Sequence, residues 1–199
     1  MTKLQRLLMA TGGLAILALG ITLTIAVQGP DPWGLFILGL MQHLPFSLGV
    51  TSQLGGLALI TLNYVWGKRR PGLGTIMSMV LVGLYIDFYN WLLPLEAITG
   101  LFIRLFILFF GIVAVALGIS IYVRAGLGEG PVEGMMFVLS NKLKLKVGAA
   151  KILQDLSFLG LSLVLGVVPQ WGTVVTALSV GPLTQFFLTR LSRIENGAE

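Results

Sequence analysis

Long apolar runs, broken by short stretches rich in Gly, Pro or charge, fill the chain from end to end. Six runs are long enough to cross a bilayer: Leu7–Val27, Leu48–Trp66, Leu73–Leu93, Leu101–Val123, Val147–Val167 and Trp171–Leu191. A hydrocarbon core about 30 Å thick needs ~20 such residues as a helix. Lipid solvates no open backbone, so these runs are predicted to be helices. The alternation of apolar and polar positions that marks a barrel strand is absent. Two shorter apolar segments, Pro32–Leu44 and Pro131–Lys142, reach only ~18–20 Å as helix. Their length predicts re-entrant or interfacial helices. The expected fold is an all-α membrane protein of six transmembrane helices, with residues 1–199 forming one polytopic domain. The first run is expected to be a span and not a signal peptide, because it exceeds the usual ~7–15 apolar residues and no small-x-small site follows.

The basic residues orient these spans. With the N-terminus inside and six crossings, the inner loops and span ends hold Lys3, Arg6, Lys68, Arg69, Arg70, Arg124, Lys142, Lys144, Lys146, Lys151, Arg190 and Arg193. Only Arg104 falls outside. This bias follows the positive-inside rule, whereas eight crossings would put Lys68-Arg69-Arg70 outside and spoil it. Both termini are therefore expected in the cytoplasm. Trp33, Trp66, Trp91, Trp171 and Tyr122 lie near predicted span ends and read as interfacial anchors.

The chain also repeats itself. Ala18-Leu19-Gly20-Ile21-Thr22 matches Ala116-Leu117-Gly118-Ile119-Ser120, and Pro32 matches Pro131. Leu48-Gly49 matches Val147-Gly148, Gly67 matches Gly166, Gly74-Thr75 matches Gly172-Thr173, and Gly83 matches Gly181. The offset stays at 98–99 throughout. Repeat 1 covers about residues 7–93 and repeat 2 about 101–191. Each contains three spans, an odd number, so the second copy would enter the membrane from the opposite side. Such inverted-topology repeats recur in transporters.

The short segments open on similar chemistry. Asp31 is placed to cap a helix whose first residue is Pro32. Gly130 and Pro131 hold equivalent positions, with Glu133 in the first turn. Such helix starts present free N–H groups and partial positive charge. Two readings stand: a capped interfacial helix closing a turn, or a half-helix facing a solute. The acids already at these ends weigh against an anionic solute.

Val123-Arg124-Ala125-Gly126-Leu127-Gly128 followed by Pro131, together with Pro71-Gly72-Leu73-Gly74-Thr75 and Gly83-Leu84-Tyr85-Ile86-Asp87, resemble the YczE/YyaS/YitT family of bacterial integral membrane proteins, in particular its YczE-like branch. The resemblance spans about residues 12–190. It implies a multi-pass protein of the bacterial cell (inner) membrane. It supplies no substrate.

Ionisable groups inside spans are costly and mark candidate sites. Asp155 sits in the fifth span, four residues after Lys151 and so on the same helical face, with Gln154 beside it. This trio reads either as a neutralised structural pair or as part of a solute pathway. Asp87 lies in the outer third of the third span. Together with Asp31, Arg124 and Glu133, these residues are the pathway candidates. Gln53 and Asn63 read as contacts between helices. Met77, Met79, Met135 and Met136 read as lipid-facing or core residues, and His43 as an interfacial one.

Composition narrows the function. Apolar residues make up 56% of the chain and charged residues 11%, too few charges to wet a soluble surface. The chain has no cysteine and a single histidine, so thiol chemistry and multi-histidine metal sites are excluded. No nucleotide-binding glycine loop or triad appears, and neither an enzyme nor a cofactor is expected. The net charge of +5 fits cytoplasmic loops facing anionic lipid, not nucleic acid. The expected function is a small-solute transporter, with the bilayer, a polar solute and a possible second copy as partners. A non-transporting scaffold or regulatory protein is the alternative.

Overall fold

In the computed structural model, which describes residues 1–93, 95 and 100–196, the described chain is all-helical. The side chain of Arg193, counted among the cations above, lies outside the described residues. The helices are α1 (Lys3–Gln28), α2 (Pro32–Met41), α3 (Leu48–Gly67), α4 (Leu73–Leu92), α5 (Leu101–Arg124), α6 (Pro131–Leu143), α7 (Val147–Val164) and α8 (Trp171–Asn196). Six of them, α1, α3, α4, α5, α7 and α8, are long and apolar enough to cross a membrane. With 10 and 13 residues, α2 and α6 are only ~15 and ~20 Å long. α7 stops three residues before the predicted Val167, and Gly166, at φ 85°, turns the chain there.

Local chemistry sets the helix starts. Thr2 caps α1 by accepting from the Gln5 amide, and the Gln5 side chain accepts from the Thr2 amide in return. Ser47 caps α3 through Val50. Asp31 caps α2, its Oδ1 accepting from the Gly34 amide at 3.1 Å. Pro32 and Pro131 occupy first-turn positions, where a missing N–H costs nothing.

α1 and α5 cross at the centre. Gly13 and Gly20 on α1 meet Gly118 and Gly111 on α5. A Cβ on Gly20 would lie 2.7 Å from the Gly111 oxygen, and one on Gly118 would lie 2.8 Å from the Gly13 oxygen. Low numbers pair with high ones, so the two helices run antiparallel. Small residues at this seam let the backbones touch, as close packing in a membrane requires. Leu14, Leu17, Ile112, Val115 and Ile119 fill the core around the crossing.

The remaining helices are arranged in matching pairs. α4 lies along α1 and α8 along α5, while α2 packs on α7 and α6 on α3. Each short helix is thus seated on a long helix of the other half. One pair breaks the match. α7 and α8 pack closely, whereas α3 and α4 make no comparable contact. Phe102, Phe106, Phe109 and Phe110 on α5, with Val65 and Val164, remain exposed, a surface suited to lipid.

Candidate functional site

Two turns bring the short helices to the centre. Thr173 Oγ1 at the start of α8 donates to the Pro30 carbonyl at 2.9 Å, just before α2. Thr75 Oγ1 at the start of α4 donates to the Glu129 carbonyl at 2.6 Å, just before α6. These bonds are counterparts under the 98–99 offset. The α4 end is also held by the Gly74 amide on the Leu127 carbonyl at 2.7 Å and by the Arg69–Glu129 ion pair.

A cavity of about 330 Å³ lies where α2 and α6 begin. Pro32, Trp33, Pro131 and Val132 line it, so both helix N-termini open onto it. Asp31, Glu133, Lys151 and Asp155 bring four ionisable groups to its wall, and Ser52, Gln53, Ser78 and Thr176 add polar ones. The remaining lining, including Leu17, Ile21, Val115, Ile119 and Val180, is apolar.

The charged groups act on one another. Lys151 Nζ donates to Asp155 Oδ1 at 2.5 Å, with side-chain exposures of 8% and 2%. Asp31 and Glu133 also feel the charge of Lys151. The Tyr122 hydroxyl accepts from the Gly130 amide at 3.0 Å and hydrogen-bonds the Glu133 carboxyl. Tyr122 therefore fixes both the helix start and its first-turn acid. Among the described residues, no three of His, Cys, Asp and Glu are grouped to hold a metal ion.

The seven pathway candidates divide. Asp31, Glu133, Lys151 and Asp155 line the cavity. Gln154 stands behind it, its Nε2 donating to the Val132 carbonyl at 2.8 Å. Asn63 does the same from α3, its Nδ2 donating to the Pro131 carbonyl at 2.9 Å. Asp87 is exposed on α4, and Arg124 ends α5; neither lines the cavity. Two aromatic expectations need correction. Tyr122 is 1% exposed, because its hydroxyl is drawn inward to Gly130 and Glu133. Trp33 is no interfacial anchor either: it lines the cavity and stacks edge-on against Phe158, centroids 5.1 Å apart. Met79, read as lipid-facing or core, also faces the cavity.

Over residues 4–189 the chain matches the family described as "Family of unknown function (DUF6198)". The chain belongs to this family. It is similar to "Uncharacterized membrane protein YczE" of Bacillus subtilis, 32% identical over 94% of this chain and 86% of that protein. An "Uncharacterized protein" of Haemophilus influenzae is 30% identical over 91% of this chain and 82% of its own length. "Uncharacterized protein YyaS" of Bacillus subtilis is 24% identical over 91% of each. These relatives place the chain in the YczE/YyaS family of membrane proteins. No solved structure matches it.

Proposed function

We propose that this protein is a small-solute transporter of the bacterial inner membrane, with both termini cytoplasmic, and that it moves small organic cations. The observation that carries this reading is the central cavity, enclosed jointly by the starts of α2 and α6 and by the Lys151–Asp155 pair. A scaffold has no need of a chamber assembled from every helix of the bundle with four ionisable groups on its wall. An inverted repeat is supported by the antiparallel α1–α5 crossing, by the exchanged seating of α2 and α6, and by the paired threonine bonds.

The charge balance favours cations. Three carboxyl groups share the cavity wall with one ammonium, so oxygen acceptors suited to a cation outnumber the cationic side chains there. The two helix ends add only about half a positive charge each. The carboxyls are not grouped to chelate a metal ion, and Trp33 and Met79 offer soft, polarisable surface to an alkyl-substituted cation.

The test is uptake into proteoliposomes holding the purified protein. Choline, ethanolamine and putrescine serve as cationic probes, with lactate and phosphate as anionic ones. Accumulation of a cation, lost in both Asp31→Asn and Glu133→Gln, is the expected result. Accumulation of anions alone would overturn the substrate class. No flux of any probe, with a stoichiometric protein co-purifying, would instead favour the scaffold.

A further inference from the structure

The two halves of the molecule match helix for helix except at one place. The α7–α8 seam is shut. A Cβ on Gly148 would lie 2.9 Å from the Gly181 oxygen and 3.2 Å from Gln185 Cβ, and one on Gly181 would lie 3.1 Å from Ile152 Cγ1. The Gly148 amide donates to Gln185 Oε1 at 3.3 Å, which closes the start of α7 onto α8. Under the repeat offset the counterparts of Gly148 and Gly181 are Gly49 on α3 and Gly83 on α4. Neither of these has any atom within 4 Å of its Cβ position. The α3–α4 seam thus carries the same pair of glycines, spread apart.

The open seam leads to the cavity. Ser52, Gln53 and Gly56 of α3 and Val82, Gly83 and Ile86 of α4 line it. α4 is held at its first turn by the Gly74 and Thr75 bonds to the 127–129 turn, while its later half stands away from α3. Glycines at a seam with nothing against them forgo helix propensity and packing together, unless another arrangement brings the backbones into contact. Asp87 is the counterpart of Gln185, and in a shut α3–α4 seam its carboxylate would accept from the Gly49 amide as Gln185 accepts from Gly148.

We propose that α3–α4 and α7–α8 are alternating gates to the cavity. The structure holds the first open and the second shut, and the opposite state closes Gly49 on Gly83, latched by Asp87, while Gly148 and Gly181 part. This rests on the transporter reading and gives that reading its two states. In the orientation proposed above, the open gate faces outward.

The chain contains no cysteine, so a cysteine pair can be introduced without background. Gln53 and Gly83 are the counterparts of Ile152 and Gly181, which touch in the shut seam. A disulfide needs Cβ atoms ~3.5–4.5 Å apart, so the Q53C/G83C protein cross-links when its gate closes. Oxidation in membranes with copper phenanthroline, scored by protection from maleimide-PEG, should yield an intramolecular disulfide. Adding Gly49→Leu, whose side chain finds open space now but blocks closure, should lower the yield about tenfold, as expected when one state of a two-state equilibrium is disfavoured. The yield of disulfide should be unaffected by Gly12→Leu, at another glycine with open space.

Two thiols that stay fully reactive would overturn the proposal. So would a disulfide between copies, which would make this face a dimer seam. The exchange itself has a separate readout. Gly181→Ala crowds the shut seam and should lower the melting temperature, and the loss should vanish once Q53C/G83C is oxidised; an unchanged loss would overturn coupled gating. The cross-link needs no solute. Gates that close in a protein that moves no probe would sink the transporter reading alone, and flux without closure would sink the gates alone.

Discussion

Replacing Lys151 with Met separates a structural ion pair from a weakly coupled one. The ammonium is 2.5 Å from Asp155 Oδ1 with both side chains under a tenth exposed, so little water screens them. Breaking a buried pair from one side costs about 3–5 kcal/mol, because the surviving charge stays buried. The two sides are unequal here. Lys151 also acts on Asp31 and Glu133, so Lys151→Met leaves three carboxyls with no cation among them. Asp155→Asn leaves an ammonium that still has two acids in range. Lys151→Met should therefore sit at the upper end of that range and Asp155→Asn well below it. For a chain of this length a loss of 1 kcal/mol lowers the melting temperature by roughly 2–4 °C. Lys151→Met should then melt about 10–20 °C below the parent, taking about 5 kcal/mol as the loss. The assay is the melting temperature of purified protein in detergent, read by tryptophan fluorescence or loss of the monodisperse chromatographic peak. The double variant K151M/D155N should recover part of the loss, since the pair's energies are not additive. A Lys151→Met protein that melts within a degree of the parent, or an Asp155→Asn protein that is the less stable of the two, would refute this account of the cavity wall.

Other positions give sharper local tests. Gly20→Ala puts a methyl 2.5 Å from the Val115 amide nitrogen and should destabilise by about 1–3 kcal/mol, whereas Gly12→Ala, with open space around it, should melt no lower than the parent. Tyr122→Phe removes the acceptor of the buried Gly130 amide and should cost about 1–3 kcal/mol, measured by the same melting assay; an unchanged melting temperature would mean the bond does not position α6. Thr173→Val removes one bond to the turn before α2 and should cost about 1 kcal/mol. Thr75→Val removes the bond to the turn before α6 and also the acceptor of the Gly72 amide, so it should lower the melting temperature more; a Thr75→Val protein as stable as the parent would mean these bonds do not hold α4 to the turn. Arg69→Ala breaks an ion pair that is a quarter exposed on each side and should change stability by less than about 1 kcal/mol.

Hydropathy along the chain was sufficient to find the six spans, since each apolar run is set by bilayer thickness and needs no knowledge of its neighbours. Pro32 and Pro131 marked the starts of both short helices, because proline costs least in a helix's first turn. The α1–α5 glycine crossing was half visible. Gly20 and Gly118 fell inside the clearest repeat match, and Gly13 and Gly111 share its 98-residue offset, but the four gain meaning only when the helices are set antiparallel. Tyr122 and Trp33 were misplaced for a related reason. Position along a span gives depth in the membrane, not the direction a side chain faces, and both rings turn inward to partners contributed by α6 and α7. Asp87 was a pathway candidate as an acid within a span, yet it is exposed on α4 and does not line the cavity. The seating of α2 on α7 and of α6 on α3 was beyond reach, because nothing in a repeat says whether its short helix stays with its own copy or trades places.

That trade has a consequence for how the protein is made. When a ribosome has released residues 1–93, α2 has no α7 to rest on, and its capped, proline-led start has no opposite number. The first half must wait in the bilayer, incomplete, until residues 147–164 arrive to receive it. Neither half can mature alone, yet two separately synthesised halves should still find each other, since each holds the groove the other's short helix requires.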